Sequence, residues 1–151
     1  MDSDTEGGYS QPDMERIRKA AESVGTPAYV YDLDIVRERF ATLSRLFGRN
    51  FGVSFAAKSN PNIELLKALK PLVTTLDVSS FGEVERGLKS GFDPRDLTFS
   101  GPAKRAAEIR GAIACGLGEL VLESVAEARL ASAFAQELGV TQDVLIRLNP
   151  M

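Results

Sequence analysis

A lysine stands at the end of an apolar run in the first half of the chain. Residues 51–57 are mostly apolar, and Lys58 follows them directly, ahead of a turn-forming Ser-Asn-Pro-Asn sequence. A short apolar run bounded by turn residues predicts a buried parallel strand, whose carboxyl end is where α/β folds build ligand sites. Flanked by Ala56 and Ala57, the amine would be partly desolvated and easier to hold as a neutral nucleophile. The functional interpretation is a Schiff-base lysine. The position by itself favours the alternative, a strand-end lysine that only faces water.

Further polar residues follow the other predicted strands. Asp77 and Arg147 would lie near Lys58, because the carboxyl ends of parallel strands meet at one edge of a sheet. A lysine nucleophile with an anion-binding arginine and a carboxylate suits imine chemistry. Alternatively, Asp77 only bonds a neighbouring loop, and Arg147 only faces water or pairs with an aspartate. Structural explanations suffice for the remaining acidic and hydroxyl candidates: Glu83 and Glu127 as capping-box residues, with Glu123 and Ser124 beside them.

Composition excludes several kinds of protein and site. The 151 residues carry a net charge of −3, one cysteine and no histidine. Disulfides, ordinary zinc sites and serine–histidine or cysteine–histidine catalysis are therefore excluded, and we assign no metal site. The charge gives no reason to expect a nucleic-acid partner, and no apolar stretch reaches the roughly 18 residues of a membrane helix. Residues 1–12 lack the apolar core of a secretory signal, so the expected location is the cytoplasm.

Strands and helices alternate along most of the sequence. A disordered tail and a leading helix (residues 13–23) would fill residues 1–25, and the main domain would cover 26–151. The domain would open with a strand at 27–31 and a helix at 33–47. Five strands then alternate with four helices, with Asn60 capping the first of these and Pro61 as its first residue. The strands are predicted at 52–57, 74–78, 96–99, 119–122 and 144–148, and the helices at 61–69, 81–90, 102–115 and 125–138.

This repeat is typical of either an open doubly wound sheet or a (β/α)8 barrel. The barrel is favoured, because the repeat is uniform and no Gly-rich first turn is present. Such a barrel needs about 250 residues. We therefore expect the chain to be the N-terminal part of a longer enzyme, about five parallel strands of a TIM barrel, and inactive by itself. Two unpaired sheet edges and an apolar interior open to water would make it prone to aggregation.

Several segments, in matching order, resemble the fold-type III pyridoxal-phosphate decarboxylases, the ornithine, diaminopimelate and arginine decarboxylases built on an alanine-racemase-like barrel. The FAAKSNPN sequence at 55–62 is similar to the cofactor-lysine motif of that family. The resemblance covers about residues 26–150. The other similar segments are 26–32 (TPAYVYD), 77–83 (DVSSFGE), 87–91 (GLKSG), 99–104 (FSGPAK), 123–124 (ES) and 146–150 (IRLNP).

The resemblance implies a cofactor, a reaction and site residues. Lys58 would hold pyridoxal 5'-phosphate as a Schiff base, and Asp77 and Arg147 would line its ring, with Arg147 near the phenolic oxygen. The reaction would be decarboxylation of a small amino acid by a homodimeric parent enzyme. The family's ring-stacking histidine and Gly-rich phosphate loop are not found in the sequence, and its second, β domain would be absent. Racemisation on the same fold, or a non-catalytic remnant that binds a partner, are the alternatives.

Overall fold

A computed structural model describes residues 12–48 and 50–150. The predicted disordered tail, residues 1–11, lies outside the described residues. The chain forms two compact units, one up to Leu46 and one from Phe47 onward. The domain boundary expected after residue 25 stays a prediction. Among the described helices, none combines the length and the apolar character that a bilayer crossing requires.

The N-terminal unit contains two helices, each capped by an aspartate. Helix α1 (Met14–Val24) begins after Asp13, whose carboxylate accepts the N–H groups of Glu15 and Arg16. Helix α2 (Leu33–Phe47), predicted at the same residues, has its first turn capped by Asp32. Carboxylates at these positions satisfy backbone N–H groups that have no partner within a helix.

The predicted strand at 27–31 is wrong. These residues have no regular secondary structure, and Tyr29 is 92% exposed. High β-propensity reflects packing on a pleated sheet, so it produces a strand only where a neighbouring strand supplies hydrogen bonds. Within the described ranges of the chain, no strand pairs with this segment.

The C-terminal unit is a five-stranded parallel sheet with a helix after each of its first four strands, as predicted. The strands lie in chain order. A doubly wound sheet would reverse its order at a switch point, so the sequential order is that of a (β/α) barrel. The strands are β1 (Ser54–Ala56), β2 (Thr75–Val78), β3 (Leu97–Phe99), β4 (Glu119–Leu122) and β5 (Asp143–Ile146), and the helices are α3 (Ile63–Leu69), α4 (Phe81–Lys89), α5 (Ala106–Ala114) and α6 (Val125–Leu138).

Two helices begin later than predicted. Helix α3 starts at Ile63 rather than at residue 61, because a 3₁₀ turn (Ala57–Ser59) follows β1 and Asn62, not Asn60, caps the helix. The side-chain oxygen of Asn62 accepts two N–H groups of the first turn. Helix α5 starts at Ala106 rather than at residue 102, because Arg105 is its N-cap. Pro61 and Pro102 therefore precede helices without being their first residues.

The two faces of the sheet differ in character. One face is the hydrophobic core: Leu76, Leu97 and Leu120 are fully buried. Helix α4 approaches it so closely that a Cβ on Gly87 would lie 2.9 Å from a methyl of Leu76. The opposite face, here called the inner face, was predicted to be apolar, but much of it is polar. Since side chains alternate along each strand, paired positions of the five strands bring to this face Ala56, Asp77, Thr98, Glu119 and Asp143.

Candidate functional site

The loop after β1 presents Lys58 at the carboxyl end of the sheet, as predicted. The buried Ala57 anchors the 3₁₀ turn, and the Ser59 hydroxyl donates to the Ala56 carbonyl at 2.8 Å. Lys58 is exposed, so the predicted partial desolvation is not found. No described residue forms a hydrogen bond or ion pair with its amine. The amine is therefore available to react with a ligand.

Helix α4 holds the outer part of this loop. The guanidinium of Arg86 donates to the Pro61 carbonyl at 3.3 Å, and the Ser90 hydroxyl donates to the Ile63 carbonyl at 3.3 Å. These bonds join the segment between Lys58 and α3 to the neighbouring βα unit. The loop that carries Lys58 is thus held by β1 on one side and by helix α4 on the other.

Lys58 and Arg147 line one cleft. This cleft, here called the carboxyl-end cleft, has a volume of about 530 Å³. The sequence predicted that parallel strand ends would bring these two cations together, and the structure places both there. Asp77 is not among the lining residues. The cleft is lined by Lys58, Ser79, Ser80, Phe99, Ser100, Gly101, Pro102, Ala103, Lys104, Arg105, Glu108 and Arg147.

Asp77 lies on the inner face and acts on the cleft through a neighbour. Its carboxylate accepts the hydroxyl proton of Ser100 at 2.8 Å. This contact is the alternative considered for Asp77, a strand-end carboxylate that bonds a neighbouring loop, because Ser100 directly follows β3. Because the Ser100 hydroxyl donates its hydrogen to Asp77, its oxygen is left in the lining of the cleft as a hydrogen-bond acceptor.

Arg147 follows β5 and is paired with an acidic residue. Its Nη1 donates to Glu123 at 3.1 Å, and its Nε donates to the side-chain oxygen of Asn149 at 3.3 Å. The Arg147 side chain is 53% exposed, whereas Glu123 is 11% exposed. Glu123 thus has the structural role that was expected. Among the described residues none bonds Nη2 of Arg147, which leaves a donor for an anionic oxygen.

The predicted capping residues of α4 and α6 occupy their expected positions, with one difference. The hydroxyls of Ser80 and Ser124 accept the N–H groups of Glu83 and Glu127. The two carboxylates do not bond back to the caps themselves. They accept the N–H of the residue before each cap, at 2.9 Å in both helices: Ser79 for Glu83 and Glu123 for Glu127. Both glutamates are therefore structural, as expected.

A third first-turn glutamate lies in the cleft wall. Glu108 of α5 accepts the Arg105 backbone N–H at 3.0 Å and its guanidinium Nε at 3.2 Å. These two bonds, the backbone one first, hold the pKa of Glu108 below its ordinary value. The first turn of α5 therefore carries an ionised carboxylate at neutral pH.

The sequence did not reveal a buried ion pair beneath the cleft. Lys104 and Glu127 lie 3.1 Å apart, with side chains only 1% and 8% exposed. The Lys104 amine also donates to the Gly101 carbonyl and lies 5.8 Å from the centre of the Phe99 ring. No sequence spacing signals this pair, because its members belong to different βα units and meet only through tertiary packing.

Comparison with known proteins identifies the family of this arrangement. The family model described as "Pyridoxal-dependent decarboxylase, pyridoxal binding domain" matches residues 33–151. The chain belongs to this family. A diaminopimelate decarboxylase of Campylobacter jejuni is 36% identical over 134 residues, which are 88% of this chain and 33% of that protein. The chain spans about a third of the length of such relatives.

Solved structures of similar proteins have the same fold. Diaminopimelate decarboxylase from Helicobacter pylori, complexed with L-lysine, matches with a TM-score of 0.80 at 32% identity, covering 88% of this chain and 34% of that one. The enzyme from M. jannaschii matches with a TM-score of 0.81 at 29% identity, covering 87% and 32%. The five parallel strands are thus part of the TIM-barrel fold of the pyridoxal-dependent decarboxylases.

The cleft residues fit one side of the family's cofactor, pyridoxal phosphate. An exposed amine without a partner suits the aldehyde of this cofactor, and a guanidinium with a free donor suits one of its anionic oxygens. For the phosphate, the described lining residues include a single glycine, Gly101, and no Gly-rich loop. The described part of the chain therefore fits the aldehyde side of the cofactor.

Proposed function

We propose that this domain binds pyridoxal phosphate through Lys58 and serves the decarboxylation of a small amino acid. The observation that carries the proposal is the exposed amine of Lys58, which no described residue bonds, in one cleft with Arg147. Family membership identifies the ligand that such an amine would bind. Since the chain spans about a third of its relatives' length, decarboxylation is proposed for the whole protein.

The residues of the cleft would divide the work as follows. Lys58 holds the cofactor through its amine. Arg147, kept in place by Glu123, donates to an anionic oxygen of the bound molecule. Asp77 keeps the Ser100 hydroxyl turned so that its oxygen can accept a hydrogen bond from the ligand. When bound, the cofactor supplies an electron-withdrawing ring that stabilises the charge left by the departing carboxylate.

The substrate class follows from the relatives' names. Diaminopimelate decarboxylases are among the most similar proteins, and one solved relative contains L-lysine. An amino acid with a second charged group is therefore the proposed substrate. A homodimer is the proposed assembly, because the resemblance implies one, and sedimentation of the whole protein would test it.

The direct test is reductive trapping on the purified chain. Pyridoxal phosphate is titrated while the visible absorbance is followed, the sample is reduced with borohydride, and the modified lysine is mapped by mass spectrometry. We expect modification at Lys58 that is lost in Lys58→Ala. The matched control is Lys70→Ala, which removes another exposed lysine and should leave trapping unchanged. Equal modification of Lys58, Lys67, Lys70 and Lys89 would refute the proposed role of Lys58.

A further inference from the structure

Four residues beneath the carboxyl-end cleft form a closed ring of contacts. Glu127 Oε2 accepts both the Lys104 amine, at 3.1 Å, and the Glu123 backbone N–H, at 2.9 Å. Glu123 Oε1 in turn accepts the Gly101 N–H at 3.0 Å. The Gly101 carbonyl accepts the Lys104 amine, which closes the ring. Both polar groups of one cleft-lining residue, Gly101, are thus held by side chains.

The ring leads outward to Arg147. The second oxygen of the Glu123 carboxylate, Oε2, accepts Arg147 Nη1 at 3.1 Å. Exposure rises along this path: the side chain of Glu127 is 8% exposed, that of Glu123 is 11% and that of Arg147 is 53%. Two cations and two carboxylates balance one another. A charge-neutral cluster therefore holds the Arg147 guanidinium, which is paired and open to the cleft.

Gly101 is needed for this geometry. Its φ of +109° is a conformation that side chains rarely adopt, and a Cβ there would lie 3.2 Å from the Ser79 carbonyl oxygen. The loop can therefore direct the N–H of Gly101 to Glu123 and its carbonyl to Lys104 while passing close to the end of β2. The conformation of the Gly101 loop and the contacts of the Lys104–Glu127 pair therefore depend on each other.

We propose that Lys104 and Glu127 are positioning residues, which fix the Gly101 loop and Glu123 and through them the direction of the Arg147 guanidinium. A buried ion pair is weak evidence for a stabilising role, because apolar replacements of such pairs are often neutral or stabilising. The network attached to this pair points instead to the orientation of Arg147. The relevance of that orientation to cofactor binding rests on the proposed function.

The test compares the chain with its Lys104→Met/Glu127→Gln variant by ¹⁵N-resolved NMR. The double change removes both buried charges, yet the glutamine amide oxygen can still accept the Glu123 N–H. We expect hydrogen exchange of the Gly101 amide with solvent to accelerate roughly tenfold, because the variant loses hydrogen bonds to charged groups that hold the Gly101 loop. The Arg147 Nε–H signal should shift. Arg110 is the matched control, because its guanidinium also donates to a glutamate, Glu137, at a different place on the surface.

The outcomes separate positioning from general stability. A shifted Arg147 signal with an unchanged Arg110 signal and a cooperative melt supports the proposal. Unchanged Gly101 exchange and an unchanged Arg147 signal in a folded variant overturn it. If the double variant gives no dispersed NMR spectrum, Glu127→Gln alone is used, because it keeps the size of the side chain and its bond to Glu123. It should shift the Arg147 signal in a cooperatively folded chain. An unmoved signal there refutes the proposal.

Pyridoxal phosphate binding adds a functional readout. The folded variant should still be trapped at Lys58, at a cofactor concentration raised roughly threefold or more by the loss of Arg147 orientation. The NMR readout needs no cofactor. Absence of trapping at Lys58 in the unaltered chain would therefore refute the proposed function alone, whereas an unmoved Arg147 signal with selective trapping at Lys58 would refute the positioning role alone.

Discussion

The two ends of the parallel sheet carry cavities of nearly equal size and different chemistry. The carboxyl-end cleft measures about 530 Å³, and a cavity at the amino ends of the strands, here called the amino-end cavity, measures about 540 Å³. The cation of the amino-end cavity is Arg95, whose guanidinium does not lose its proton in proteins and cannot act as a nucleophile. The carboxyl-end cleft contains Lys58, a primary amine without a partner among the described residues.

Three polar side chains of the amino-end cavity form hydrogen bonds within the protein. The Gln142 amide donates to the carbonyls of Leu117 and Gly118, at 3.1 and 3.3 Å. Glu119 accepts the Thr98 hydroxyl at 3.1 Å. Volume therefore does not distinguish the two cavities. The exposed amine of Lys58, which has no partner among the described residues, does. This difference agrees with the placement of active sites at the carboxyl ends of barrel strands.

The largest difference in the free energy of unfolding should come from replacing one cation at each end, the buried Lys104 and the exposed Arg95. Lys104→Met should destabilise the chain by about 3–5 kcal/mol, because it leaves the Glu127 carboxylate buried without its partner. Arg95→Met, which changes an exposed cation in the amino-end cavity, should change the free energy of unfolding by less than about 0.5 kcal/mol. Urea denaturation measures both. Equal effects would show that the Lys104–Glu127 pair does not hold the carboxyl end together.

A smaller contrast should come from one glycine at each end. Gly101 and Gly116 both have positive φ, but a Cβ on Gly116 meets open space, whereas one on Gly101 approaches the Ser79 carbonyl. Gly116→Ala should cost about 1 kcal/mol and Gly101→Ala roughly 2 kcal/mol or more, because only the latter adds a close contact to the backbone strain. Thermal unfolding of the two variants would decide. A larger loss for Gly116→Ala would contradict the described path of the Gly101 loop.

The smallest effect concerns the pH dependence of stability and arises from Glu108 in the wall of the carboxyl-end cleft. The bonds from Arg105 lower the pKa of Glu108. The unfolded chain therefore binds a proton at this site more readily than the folded chain. The stability that Glu108 contributes is complete above the ordinary pKa of a glutamate and is lost as pH falls through the lower folded value. Glu108→Gln should flatten this part of the stability profile measured between pH 6 and 3, which are about the limits of glutamate titration; an unchanged slope would contradict the assignment.

The sequence predicted the features that depend on local patterns and on strand direction. Lys58 and Arg147 share a cleft because the carboxyl ends of parallel strands meet, whichever side chains line them. Ser80 and Ser124 cap helices, with Glu83 and Glu127 three residues later, as the S-x-x-E spacing predicts. The predicted start of α5 was too early. Proline is common as the first residue of a helix, so Pro102 suggested a start there, but the N-cap is Arg105.

Tertiary contacts account for what the sequence could not reveal. The segment 27–31 has the composition of a strand, but pairing depends on a partner that local composition does not specify. The inner face was predicted to be apolar, because the hydrophobic character of short strands does not distinguish the face that packs on helices from its opposite. Lys104 meets Glu127 only once two βα units are packed side by side.

The central claim is that the carboxyl-end cleft, and not the equally large amino-end cavity, binds the cofactor. The most direct measurement is an NMR titration of the ¹⁵N-labelled chain with pyridoxal phosphate, with inorganic phosphate as the control ligand. We predict that the amide signals of Ser79, Ser100 and Gly101 shift with pyridoxal phosphate, while those of Gly116 and Gly118 do not. Shifts centred on Gly116 and Gly118, or the same shifts with inorganic phosphate alone, would contradict the claim.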